Sequence, residues 1–180
     1  MSSLKDRMIR AAKLDVSLYE EVEADTEAMG QAMKVVLLSG IAAGLGTVTR
    51  GGGAGVIPSI LLATLFALIG WFVWAYLTYF IGTKFLPEPQ TRADIGELLR
   101  TIGFSSSPGL IRVLGIIPGF TGIVFFVASV WMLIAMVIAV RQALDYRSTL
   151  RASGVCLIGW IIQLLILWLL FSILGGPPKV

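Results

Sequence analysis

Hydrophobic and polar positions in this chain are separated into long blocks rather than alternating at short period. Most of residues 1–34 is polar or charged, whereas residues 120–140 contain no Asp, Glu, Lys or Arg. A helix needs about 20 mostly apolar residues to cross roughly 30 Å of hydrocarbon, and it is one of two ways to satisfy a backbone in lipid. Four runs meet that demand, at about 33–48, 56–80, 120–140 and 153–174. A fifth apolar run, at about 104–118, carries Pro108, Arg112 and Pro118, so hydropathy alone reads it equally as a re-entrant loop.

Charge decides between the two. If the fifth run spans, the residues before the first span and the loops at 84–100 and 141–151 share one face. That face then holds Lys5, Arg7, Arg10, Lys13, Lys34, Lys84, Arg92, Arg100, Arg141, Arg147 and Arg151, leaving only Arg50 and Lys179 on the other. If it does not span, the three arginines of 141–151 fall outside, against the positive-inside rule. The expectation is an all-α polytopic membrane protein with five transmembrane helices, integral to the cell's inner membrane. Its N-terminus is cytoplasmic and its C-terminus external. Residues 1–31 form an N-terminal amphipathic segment, 32–176 the transmembrane domain and 177–180 a short tail. The carboxylates between Asp6 and Glu27 leave no room for the apolar centre of a cleaved signal peptide, so the N-terminal segment is expected to persist.

Shorter periodicities predict short amphipathic cytoplasmic helices. Residues 4–16 set Leu4, Met8, Ala11 or Ala12 and Val16 against Lys5, Arg7, Arg10 and Lys13, a pattern suited to anionic headgroups. Ser17 and Glu20 have capping-box spacing, which predicts a second helix through about Met29 with Leu18, Val22 and Met29 inward. After Pro87 and Pro89, the series Ile95, Leu98, Leu99 and Ile102 opposes Arg92, Asp94, Glu97 and Arg100, which predicts a helix lying in the membrane interface. Gly40 and Gly44 form a GxxxG pair that lets another helix approach closely. Residues 49–55, TRGGGAG, lack the Lys-Ser/Thr pair of a phosphate loop and read as a tight connector ending at Pro58. Trp71, Phe72, Trp74, Tyr76, Tyr79 and Phe80 read as an aromatic belt, and Trp131, Trp160 and Trp168 as packing residues.

Composition agrees with a bilayer: 57% of residues are apolar, 14% charged, and the mean hydropathy is +0.88. A soluble domain carries about a quarter charged residues. The pI near 9.2 reflects an excess of only three charges, which membrane orientation explains without nucleic acid. There is no histidine, the lone Cys156 has no visible activating partner, and no span contains Asp or Glu. Hence no catalytic residue, metal ligand or cofactor site is assigned, and a non-enzymatic protein is expected. Two features retain functional readings. The acidic segment with Tyr19, Glu20, Glu21 and Glu23 is either a solvated helix face or a docking site for a basic partner. Arg112, inside the hydrocarbon, either snorkels toward the near end, roughly 9 Å away by helical rise, or contacts a lipid phosphate or other anion.

The order of LYEEVEAD (18–25), RTIGFSSSPGLIRVLGIIPG (100–119) and WMLIAMVIAVRQALDYRST (131–149) resembles the Yip domain family (Ypt-interacting proteins), particularly its small bacterial members, over residues 17–174. The resemblance implies five helices with a cytoplasmic N-terminus. Tyr19, Glu20, Pro108 and Tyr146 match its pattern, and it supplies no catalytic residues. Eukaryotic relatives associate with small GTPases, whereas this chain's short N-terminal segment departs from theirs. The expected function is a membrane scaffold or adaptor, in contact with lipids and with a protein partner or further copies of itself. The rivals are a lipid or small-anion transporter using Arg112, and an accessory subunit of a larger membrane complex.

Overall fold

A computed structural model describes residues 2–48 and 55–173. Seven α-helices appear among them: α1 Leu4–Ala12, α2 Val16–Ala24, α3 Met29–Thr47, α4 Val56–Phe80, α5 Ile95–Ser105, α6 Thr121–Ala143 and α7 Thr149–Ile173. A 3₁₀ turn, Thr26–Ala28, leads into α3, a π-turn, Ile81–Phe85, extends α4, and a 3₁₀ helix, Ser107–Ile116, follows α5. The connector at residues 49–54 and the tail at 177–180 lie outside the described residues.

Among the described residues four stretches of helix are long and apolar enough to cross a membrane: Thr26–Thr47, Val56–Phe85, Thr121–Ala143 and, within α7, Thr149–Ile166. Their outward faces carry Leu61, Leu65, Phe66, Phe126 and Leu164, all exposed, as lipid-facing surface must be. Trp160 and Trp168 also face outward rather than packing inside. The fifth run does not form an α-helix across residues 104–118. Pro108 has no N–H to give the Phe104 carbonyl, so the α-ladder stops at Ser105. The Ser107 hydroxyl donates to that carbonyl instead (2.7 Å), and the Gly109 N–H returns to Ser106 (2.9 Å), starting the 3₁₀ helix.

Residues 95–116 nevertheless run the length of α3. Gly103 lies against Ala32, Gly109 against Ser39, and Gly115 against Gly46, so the two segments advance together in the same direction. The helix at 95–105 is not interfacial: Leu98, Thr101, Ile102 and Phe104 are all buried, enclosed by α3, α4 and α6. Its periodicity marked one apolar face correctly, but the opposite face also meets protein. Arg100 is 6% exposed; its Nε donates to the Val22 carbonyl (2.9 Å) and its Nη2 to that of Glu23. The guanidinium thus satisfies carbonyls that the last turn of α2 leaves open.

The N-terminal helices also fold inward. Arg7 of α1 is 3% exposed and ion-paired with Glu21 (2.9 Å) and Asp25 (2.7 Å), and Arg10 pairs with Asp15 and Glu21. Two of the four basic residues expected on headgroups are therefore struts between α1 and α2. The cap of α2 is Asp15, which accepts from the Ser17 N–H (3.0 Å); Glu20 reaches Gln142 instead. Among the described residues the reciprocal capping box is that of Asp94 and Glu97, at the start of α5. The second helix ends at Ala24 rather than near Met29.

Gly40 and Gly44 do let a helix approach, and the partner is internal. A Cβ at Gly44 would lie 2.5 Å from the Ile60 Cα, and one at Gly40 2.8 Å from the Thr64 Cα, both backbone atoms of α4. Overpacking of this kind costs about 1–3 kcal/mol. Gly44→Ala is expected to lower the thermal midpoint of the detergent-solubilised chain by several degrees. Gly70→Ala, where an added Cβ meets nothing within 4 Å, should leave it unchanged or slightly raised.

Candidate functional site

Three segments distant in the chain meet at one end of the bundle. Tyr146, between α6 and α7, brings its hydroxyl to the carbonyls of Gly82 (2.9 Å) and Leu86 (2.7 Å), where the π-turn ends α4. Burial pushes that phenol up to about 12. Glu88 accepts from the Arg147 N–H (3.0 Å) and faces Arg151 at 3.4 Å, while Arg151 also donates to the Pro87 carbonyl (2.7 Å). Gln142 at the end of α6 donates to Glu20 of α2 (2.8 Å). These contacts close the polar end into one layer of α2, the start of α5 and two loops.

A groove of about 600 Å³ opens in this layer. Glu20, Glu23, Glu97 and Asp145 line it on the acidic side, Arg141 and Arg147 on the basic side. Among the described residues no group of three or more His, Cys, Asp or Glu is arranged to hold a metal ion. The four residues singled out for docking fare differently. Glu20 is exposed and Glu23 half-buried, and both line the groove. Glu21 is engaged by Arg7 and Arg10; bonds from Ser2 and those two arginines hold its carboxyl down to about 2, against the effect of burial. Tyr19 is 0% exposed and packs in the core. Burial raises its phenol well above the ordinary range, with Asp15 adding to the effect. Glu97, Arg141, Asp145 and Arg147 join the groove only through tertiary contact, without a pattern in the sequence to collect them.

A second cavity, of about 430 Å³, lies between α3 and α4 in the apolar part of the bundle. Among the described residues that line it, Arg112 alone is charged. Its guanidinium carbon sits 5.6 Å from the centre of the Phe125 ring.

The family model described as Yip1 domain matches residues 21–171. The chain belongs to the Yip1 domain family. A search of curated proteins and a search of solved structures each found no match. The matched range places this Yip1-domain chain among integral membrane proteins, in agreement with its four long apolar helices. It takes in α3 to α6, most of α7, the proline break at Pro108 and the Tyr146 contact, whereas α1, Tyr19 and Glu20 precede it.

Glu23 gives the groove a titratable element. Burial, with Asp145, Glu97 and Glu20 nearby, lifts its carboxyl to about 7, while Arg100 works the other way. A folded-state value above the ordinary 4.5 means that the folded chain holds the proton more tightly than the unfolded one. Stability from this group is fully present below about pH 4.5 and is lost as pH rises through about 7. Glu23→Gln should accordingly raise the thermal midpoint at pH 8 and make little difference at pH 4.5, as read by melts across that range.

Proposed function

We propose that this Yip1-domain protein is a non-enzymatic membrane adaptor that docks a basic cytoplasmic protein at its polar end. The observation that carries the reading is the groove, in which four carboxylates outnumber two guanidiniums on a surface rigidly joined to the membrane helices. Complementary charge favours encounter and fixes orientation, so an acidic groove of this size suits a basic segment of a partner. In this reading the chain sits in the inner membrane of a bacterium with α1 and α2 in the cytoplasm, where the arginine-rich loops belong.

The same reading takes residues 95–116 as a fifth crossing, part α-helix and part 3₁₀ helix. Two features support it. The end of α4 is bonded to the end of α6, so the chain between them must leave the polar end and return. It also keeps contact with α3 from Ala32 to Gly46, and irregular backbone at membrane depth is tolerated where it is buried in protein.

Cysteines placed at Arg92 and Ile117 test the crossing in intact cells with a membrane-impermeant maleimide. Ile117→Cys should label at once and Arg92→Cys only after permeabilisation; labelling of both from one side would rule the fifth crossing out. For docking, membranes solubilised in mild detergent should yield a stoichiometric partner with the parent chain and about tenfold less with Glu20→Lys plus Glu97→Lys. Recovery of a clean monomer from the parent under those conditions would remove the adaptor reading.

A further inference from the structure

Among the described residues no carboxylate lies within ion-pair distance of Arg112, and the sequence has no Asp or Glu between Glu97 and Asp145 or between Glu27 and Glu88. The Nε of Arg112 is buried and has no hydrogen-bond partner among the described residues. Stacking on Phe125 screens one side of the guanidinium but supplies no counter-charge. An unpaired arginine in apolar surroundings is costly to insert, so an anion brought to this position gains what the protein withholds.

The cavity beside it has the form of a chain-binding slot. Along α4 it extends from Ala63 to Trp74, roughly 16 Å at the helical rise. Its walls are apolar and aromatic, with Phe66, Trp71 and Trp74 on one side and Met132 and Met136 on another, and Ser39 and Ser106 are its small polar groups. Apolar walls with a few placed polar groups are the usual make-up of a ligand pocket. Trp71 is fixed in the wall by its indole N–H, which donates to the Leu99 carbonyl (2.8 Å), so it cannot swing in to fill the space. Arg112 stands at the end away from the polar layer, where its carbonyl abuts Gly46 near the end of α3.

We infer that this cavity binds one anionic phospholipid, its phosphate on Arg112 and an acyl chain along α4 toward Trp71 and Trp74. The headgroup lies at the end of the bundle away from the polar layer, level with Gly46 of α3. This site is independent of the docking groove, and the two stand or fall separately.

Native mass spectrometry of the full chain with phosphatidylglycerol or phosphatidylcholine tests it. The parent should retain one phosphatidylglycerol under collisional activation that strips phosphatidylcholine, and Arg112→Leu should cut that retention about tenfold while Arg112→Lys keeps part of it. Gly70→Leu should abolish retention by filling the slot, since Gly70 lines the cavity and a Cβ there meets nothing within 4 Å. Inorganic phosphate at millimolar concentration should not displace the lipid; displacement would overturn the acyl-chain part of the proposal. Equal retention of the two lipids by the parent, or undiminished phosphatidylglycerol binding in Arg112→Leu, would overturn the whole. Should Arg112→Leu fail to fold, the parent and Gly70→Leu suffice in nanodiscs. Phosphatidylglycerol brominated on its chains should quench tryptophan more than brominated phosphatidylcholine in the parent, and the difference should vanish in Gly70→Leu. Equal quenching in the parent would count as failure.

Discussion

Apolar side chains on α4, α6 and α7 gain little by facing one another instead of lipid, so hydrophobic burial alone does not hold a bundle of this composition together. Close backbone approach along α3 does. Gly40 and Gly44 bring its backbone against α4, and Gly46 brings it against the carbonyl of Arg112 in the 3₁₀ helix. At such distances dispersion contacts are dense and the neighbouring dipoles are not separated by side chains. The helix with most small residues is accordingly the one around which α4 and residues 95–116 are arranged.

That arrangement accommodates an interrupted helix. Pro108 removes one ladder bond, but the hydroxyls of Ser105 and Ser107 take the carbonyls of Ile102 and Phe104, at 2.7 Å each. Glycines at 103, 109 and 115 then keep the altered backbone in contact with α3. A tighter helix rises further per residue than an α-helix, about 2.0 Å against 1.5 Å, so ten residues of it cover distance that would take more α-helical residues. The break is thus compatible with a segment that travels the length of the bundle, and it turns Arg112 toward the cavity instead of along a regular helix face.

At the polar end, charges that looked like surface groups are structural. Arg7 and Arg10 hold α1 to α2 and its flanking residues, Arg100 holds α5 to α2, and Arg151 holds α7 to the 86–88 loop, partly through carboxylates and partly through open carbonyls. What these struts leave over, on the side of Glu20, Glu23, Glu97 and Asp145, forms the groove. The rigidity of the layer and the sign of the groove therefore have one origin: arginines drawn into the protein leave carboxylates behind at its surface.

The sequence by itself determined the all-helical class, four long apolar helices to within a few residues, the packing role of Gly40 and Gly44, and the family. The class, the long helices and the close approach rest on information carried locally, because transfer of a helix into hydrocarbon depends on the side chains of that helix, and close approach on the small residues of one face; the family rests on the order of motifs along the whole chain. Tertiary structure alone decided that Tyr19 is buried, that Arg7 and Arg100 point inward, and that the helix at 95–105 is interior. Period-3.6 patterning marks an apolar face but does not say whether the polar face meets water or, as with Arg100, the carbonyl of a residue 78 positions away. Asp94 and Glu97 have the same capping-box spacing as Ser17 and Glu20, but at the latter pair Asp15, two residues earlier, takes the cap. Arg112 was visible as an odd charge in an apolar run, but the slot beside it exists only where α3, α4, α5 and α6 fail to close around that charge.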